Sequence, residues 1–311
     1  MPHIDLPSSP LAPGVSPVRV HYRDAGAGRP IVILHGGWGY EIYSFARQIA
    51  ALASHYRLVG PDRTGYGGSG RLERQATDFH HRAAAETLAV IDALALDRPV
   101  VWGHSDGAVI ALLMALADPD RLGGVIVEAA HFFRSKPASR AFFATMMRDP
   151  DGLGERVTGV LVREHGDLWR DLIRTNGDAW LRIATDPSAP TADLYAGRLA
   201  ELRVPTLVIH GARDPRTEPG ELDAMRAALG RTLGPAPASD VTVAATGDAA
   251  PEPRVGPVHF EILPEGGHSP HTERATADDV TRIVERFVSE LLPTPPDRPG
   301  APARRARCGR A

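Results

Sequence analysis

Short apolar runs alternate with longer stretches of helical spacing along most of the chain. Residues 18–22 alternate apolar and polar side chains, the period of a strand with one wetted face. Residues 31–34 (Ile-Val-Ile-Leu) are continuously apolar, as a strand buried on both faces requires. Helical spacing follows at 42–52, then a short strand at 57–60, a helix over 77–96, a strand at 99–102, a helix at 106–117 and a strand at 124–128. The rhythm returns with a strand at 204–210, a helix at 218–229, a strand at 258–263 and a last helix at 277–292. Strand and helix in alternation predict an α/β fold, a mostly parallel sheet with helices on both faces.

Several stretches depart from this rhythm. Residues 131–201 carry helical pieces and many aromatics, among them Phe142, Phe143, Trp169 and Trp180, but no strand pattern. They predict a helical insertion lying over the catalytic end of the sheet. Residues 231–257 are rich in Ala, Gly and Pro and longer than a helix-to-strand connection needs, which predicts a mobile surface insertion. Residues 1–14, rich in Pro and Ser, are expected to be a flexible N-terminus, and the Pro/Arg-rich residues 293–311 a disordered tail. The resulting organisation is a core from 15–130 and 202–292 with a cap at 131–201.

Composition narrows the class. The chain has 311 residues, 43 % of them apolar, which suits one large α/β domain with a sizeable core. Its formal charge of −3 gives no basis for a nucleic-acid or anionic-membrane partner. No apolar stretch approaches the roughly 20 residues that span a bilayer. Residues 1–14 lack the basic patch and apolar run of a secretory signal, so a cytoplasmic location is expected. Cys308 is the sole cysteine, so no intrachain disulfide can form, and the histidines lack a metal-binding spacing. Neither metal nor cofactor is expected, and the oligomeric state is not legible.

The chemistry centres on Gly103-His104-Ser105-Asp106-Gly107, between a strand pattern and a helix pattern. A serine on such a turn is exposed and faces the positive end of the following helix, and the flanking glycines leave room for the turn. A serine hydroxyl still needs a base, and the base an orienting anion. Asp214 follows the strand ending at His210, and His268 lies in the loop after the strand ending at Leu263. All three candidates fall at carboxyl ends of strands, where sites gather in open α/β sheets. His268 is therefore expected to act as base and Asp214 as its orienting acid. His271 and Glu128 are the competing base and acid. The oxyanion donors are expected to be the backbone N–H groups of Asp106 and of Gly37, chosen over Trp38 in the His35-Gly36-Gly37-Trp38 turn. Trp38 and Asp106 are also candidates for substrate contact. His104 and His35 are expected to brace their turns, and Asp62 and Arg63 to stabilise a loop.

These motifs resemble the α/β-hydrolase family. The match runs through His35-Gly36-Gly37, Asp62-Arg63-x-Gly65-x-Gly67-x-Ser69, Gly103-x-Ser105-x-Gly107, His210-Gly211-x-x-Asp214 and Gly267-His268-Ser269-Pro270. The resemblance implies an eight-stranded, mostly parallel sheet with a helical cap between the sixth and seventh strands. Ala108 stands where many relatives have a second glycine. The Ser105-Asp106 pair resembles the biphenyl-hydrolase-like group that includes valacyclovir hydrolase, where the matching aspartate helps recognise an amino group. By that analogy Asp106 favours a cationic substrate; otherwise it makes local hydrogen bonds near the helix start. The implied activity is hydrolysis of a small-molecule carboxylic ester or lactone through an acyl-serine. Carbon–carbon bond hydrolysis and cofactor-free perhydrolysis are alternatives on the same triad, and a non-turnover ligand receptor is the alternative from another class. Dehalogenases and epoxide hydrolases of this fold use a carboxylate at the elbow, which Ser105 opposes.

Overall fold

The computed structural model describes residues 2–230 and 256–291. Among these, eight strands form one sheet: β1 (His3–Leu6), β2 (Val18–Ala25), β3 (Arg29–Leu34), β4 (Tyr56–Pro61), β5 (Val100–His104), β6 (Gly124–Glu128), β7 (Thr206–Gly211) and β8 (Val258–Leu263). Their order is β1-β2-β4-β3-β5-β6-β7-β8. The pairs β1–β2 and β2–β4 are antiparallel, and the other five are parallel. This is the mostly parallel eight-stranded sheet that the motifs imply.

Period-two alternation divides the core. Ile31 and Ile33 pack with Trp102, Ile126 and Ile209 on one face, while Val32 and Leu34 pack with Val101, Val125 and Val208 on the other. Helices α1 (Ala46–Leu52) and α8 (Ala277–Arg286) close the first face through Leu52, Val280 and Val284. Helices α2 (Phe79–Ala93) and α3 (Asp106–Ala117) close the second. Helix α3 is buried on every side from Asp106 to Leu116, so it is apolar all round rather than amphipathic.

Between β6 and β7 run helices α4 (Arg140–Arg148), α5 (Glu155–His165) and α6 (Trp169–Thr185). The entrance to this segment is pinned from α7 (Glu221–Leu229). Glu221 Oε1 accepts hydrogen bonds from Phe132 N (2.7 Å), Phe133 N (3.0 Å) and Lys136 Nζ (2.7 Å). No helix among the described residues is long and apolar enough to cross a membrane.

The N-terminal stretch expected to be flexible instead contains β1. Its anchors are tertiary and invisible in a four-residue polar strand: Leu6 is buried with Val18, Val20 and Val90, and Ser9 Oγ donates to the buried Glu86 carboxylate. The helix expected at 42–52 divides into a 3₁₀ turn (Glu41–Tyr43) and α1, because Ser44 is extended. The last helix passes into a π-turn over Phe287–Leu291, where Phe287 and Val288 are both buried. Of the insertion expected at 231–257, all but Gly256 and Pro257 lies outside the described residues, as does the tail at 293–311.

Candidate active site

Ser105 sits between β5 and α3 with φ 53° and ψ −118°, a region that a side chain with a Cβ adopts only at a cost of about 1–3 kcal/mol. Two close approaches hold it there. A Cβ on Gly103 would lie 2.0 Å from Gly107 O, and one on Gly107 would lie 2.2 Å from Leu34 O. Only glycine lets α3 start this tightly against β3 and β5. The backbone N–H of Ser105 continues the ladder by donating to Glu128 O (2.9 Å).

The loop after β8 brings His268 to the serine. Its Nε2 accepts from Ser105 Oγ at 3.1 Å, and its Nδ1–H donates to both Asp214 oxygens, at 3.0 and 2.9 Å. Asp214 follows β7 and also accepts from Arg216 N (2.8 Å). Burial works to raise the Asp214 pKa, but the His268 hydrogen bond and charge, with the Arg216 N–H, outweigh it and hold the carboxyl down at about 2. His104 ties this loop to the elbow through Nε2, 2.9 Å from His268 O and 3.0 Å from Ser269 Oγ. Burial drives the His104 pKa down to about 3, so it stays neutral.

The competing base and acid pair with each other. His271 Nδ1 and N both bond Glu128 Oε1, at 2.8 and 2.9 Å, and His271 Nε2 bonds Tyr43 O at 3.0 Å. Both side chains are fully buried. This dyad stitches the His268 loop to the end of β6.

The turn after β3 is braced as its residue types suggest. His35 Nδ1 donates to Gly36 O (2.7 Å), its Nε2 accepts from Arg63 N (3.2 Å), and the Arg63 guanidinium donates to His35 O (2.6 Å) and Gly36 O (3.0 Å). Gly37 O accepts from Tyr66 OH (3.1 Å). Asp62 bonds His21 (2.8 Å) and Arg23 (2.6 Å) in the neighbouring loop.

A cavity of about 210 Å³ opens over Ser105, lined by Gly37, Trp38, Asp106, His131, Trp180 and His268 among others. It lies below the roughly 300–1,000 Å³ of pockets for drug-sized ligands. Trp38 stacks on Phe142 with centroids 5.6 Å apart. The Asp106 carboxylate accepts from three donors: His80 Nε2 (3.2 Å) and Trp180 Nε1 (3.0 Å) on Oδ1, and Asn176 Nδ2 (3.1 Å) on Oδ2. Burial would raise its pKa, but the His80 bond and the positive groups around it keep it lowered. Burial likewise lowers the pKa of His80, against the pull of Asp106. Asp106 therefore joins the elbow to α2 and α6.

Three polar residues that line this pocket, His131, Asn176 and Arg216, and His80 behind Asp106, are not picked out by the sequence. His131 comes three positions after β6, with Nε2 3.5 Å from Ser105 Oγ. Its signal was a polar residue just past a strand's carboxyl end. Asn176 lies on the buried face of α6 between Ile173 and Trp180, a polar residue inside an apolar stripe. His80 lies on the buried face of α2 in the same way. Arg216, two residues after Asp214, carried no signal.

Among known proteins, the chain is 33 % identical over 204 residues to Epoxide hydrolase A of Mycobacterium tuberculosis, a match covering 59 % of this chain and 60 % of that protein, so the chain spans about three fifths of that relative's length. It is 26 % identical over 278 residues to Serine hydrolase BPHL of Mus musculus, covering 88 % of this chain and 84 % of that one. Among solved structures, a thermophilic esterase from Thermogutta terrifontis superposes with a TM-score of 0.64 at 19 % identity, over 94 % of this chain and 100 % of the other. The sequence profile of the alpha/beta hydrolase family matches residues 31–280, from β3 into α8, and the chain belongs to that family.

Proposed function

We propose that the protein is a serine hydrolase that cleaves carboxylic esters or lactones through an acyl-serine. The observation that carries this reading is the 3.1 Å contact from Ser105 to His268, with Asp214 2.9 Å behind the imidazole. In the first step Ser105 Oγ attacks the carbonyl carbon while His268 Nε2 takes its proton, and Asp214 stabilises the resulting imidazolium. The N–H groups of Gly37 and Asp106 receive the tetrahedral oxyanion. In support, both residues border the same cavity as Ser105. The Asp106 N–H opens α3 and so has no partner within the helix. Collapse breaks the carbon–oxygen bond, and His268 returns the proton to the departing alkoxide, which stays tethered in a lactone. Water, deprotonated by His268, then attacks the acyl carbon and releases the acid and Ser105.

Likeness to an epoxide hydrolase does not carry over that chemistry. Serine attack on an epoxide carbon would leave an ether, which water at neutral pH does not cleave. Attack on a carbonyl leaves an ester, which the same histidine can hydrolyse.

The test is a panel of short esters and lactones with wild type and Ser105→Ala, alongside labelling by a fluorophosphonate. The expected result is loss of turnover and of labelling in the variant, with an unchanged circular dichroism spectrum. Equal activity in both proteins overturns the acyl-serine route.

A further inference from the structure

The cavity over Ser105 is bordered by two permanently charged side chains apart from its histidines, Asp106 and Arg216. They differ in how far they are committed. The Asp106 oxygens already hold three donors, from His80, Trp180 and Asn176. The Arg216 guanidinium sits over the Phe142 ring, with Cζ 3.3 Å from the ring centroid. Stacking occupies the face of the guanidinium and leaves its N–H donors directed outward in the plane. Among the described residues no acceptor hydrogen-bonds that guanidinium, and no carboxylate lies within ion-pair distance of it. The two acids nearest along the chain, each two residues away, are committed elsewhere: Asp214 is turned to His268 and takes the Arg216 backbone N–H, and Glu218 accepts from Ala138 N (3.0 Å) and Ser139 N (3.2 Å).

A half-buried, stacked and unpartnered guanidinium at the edge of a reaction cavity is a preformed fork for a planar anion. Its backbone N–H donates to Asp214 Oδ1 at 2.8 Å, which ties Arg216 to the residue behind His268. The cavity is small, so a group reaching from Ser105 to Arg216 is short.

Resting on the serine-hydrolase reading above, we propose that Arg216 is an anion subsite and that the preferred substrate is a compact ester or lactone carrying a carboxylate. This reverses the polarity suggested by Asp106 in the sequence: the acid at the elbow is committed to three donors inside the fold, whereas the guanidinium in the pocket has no acceptor among the described residues. Arg216 is a specificity-determining residue that binds the substrate remote from the reacting carbonyl.

The experiment compares matched substrate pairs differing only in charge. One pair carries the group on the acyl side, monoethyl glutarate against ethyl glutaramate. The other carries it on the alcohol side, 4-acetoxybutyrate against 4-acetoxybutyramide. In wild type at low salt, the charged member of at least one pair should exceed its amide in kcat/KM by about tenfold or more, the effect of one charge-assisted hydrogen-bonded pair. That ratio should collapse in Arg216→Gln and fall part of the way in Arg216→Lys, which keeps the charge but loses the planar fork. A wild-type ratio at or below one in both pairs overturns the proposal without any variant. So does a ratio that is the same in wild type and Arg216→Gln. Ser105→Ala separates the two readings. If it still hydrolyses the neutral esters, the acyl-serine route fails. If hydrolysis depends on Ser105 but ignores Arg216, only the anion subsite fails.

Discussion

The imidazole of His131 lies nearly parallel to that of His268, with centroids 5.8 Å and planes 21° apart. Trp180 also packs on His131, nearly perpendicular to it with centroids 5.0 Å apart. Burial first, then the charge of Lys136, hold His131 well below its ordinary pKa, so it does not add a second positive charge when His268 takes a proton. On the acyl-serine reading, His131 is an uncharged wall beside the proposed base and serine. His131→Ala should lower ester kcat/KM by about tenfold to a hundredfold, the scale of a small misplacement of reacting groups. Fluorophosphonate should still label Ser105, more slowly. Unchanged steady-state kinetics would refute the positioning role.

Asp106→Asn tests whether the elbow acid serves the fold or the substrate. An amide there presents a nitrogen to a buried site already full of donors, and one unpaired buried donor costs about 1–3 kcal/mol. Flipping Asn176 would relieve Oδ2 but would give up its Nδ2 bond to Gln75 Oε1 at 3.2 Å. The variant should therefore melt earlier, and its rates on aminoacyl esters and on uncharged esters should fall by the same factor. A selective loss on aminoacyl esters would restore the cation-recognition role.

How much of this was legible depended on whether a feature is local. Gly103, Ser105 and Gly107 are one turn, and the clash distances at the two glycines explain why five letters carried so much. Asp214 and His268 are legible because each lies in the loop past the carboxyl end of a strand, β7 and β8, and those two strands are neighbours in the sheet. Residues His80, Asn176 and Trp180 were not, because their shared partner is Asp106 and that convergence exists only once α6 folds over α2. β1 failed for a similar reason: only Leu6 of its four residues is buried, so no alternation marks it. Arg216 has no sequence signature at all, since its meaning lies in having no acceptor for its guanidinium among the described residues.

Lys136, the only lysine of the chain, is buried with Glu221 across the junction that carries His131. Burial lowers its pKa and Glu221 opposes that shift. Lys136→Met leaves the carboxylate facing the backbone N–H groups of Phe132, Phe133 and Glu218 (2.8 Å) without a cation, at a cost of about 3–5 kcal/mol. Urea denaturation should register that loss. The double variant Lys136→Met/Glu221→Gln should be less destabilised than the single, because no buried charge is then orphaned. A single variant as stable as wild type would refute the pairing.

Glu164 links α5 to the core by accepting from Tyr40 N (2.6 Å) and Glu41 N (2.9 Å). Its side chain is only 2 % exposed, beside His165 at 3.5 Å. Burial is the largest influence and raises its pKa to about 7; Asp62 pushes the same way, while the two N–H bonds and Arg23 oppose it. The sign follows from proton binding. Between about 4.5 and about 7 the folded protein holds a proton that the unfolded chain has released, so stability declines as pH rises through that window. The decline amounts to about 3 kcal/mol at most. Glu164→Gln cannot ionise and should lack that slope, so the stability of wild type relative to the variant should be greater at pH 5 than at pH 8. Urea titrations of both proteins across this range measure the difference directly. Parallel pH profiles would mean that the Glu164 carboxyl titrates in the ordinary range and that its burial is relieved by water, leaving the two backbone N–H groups as its dominant partners.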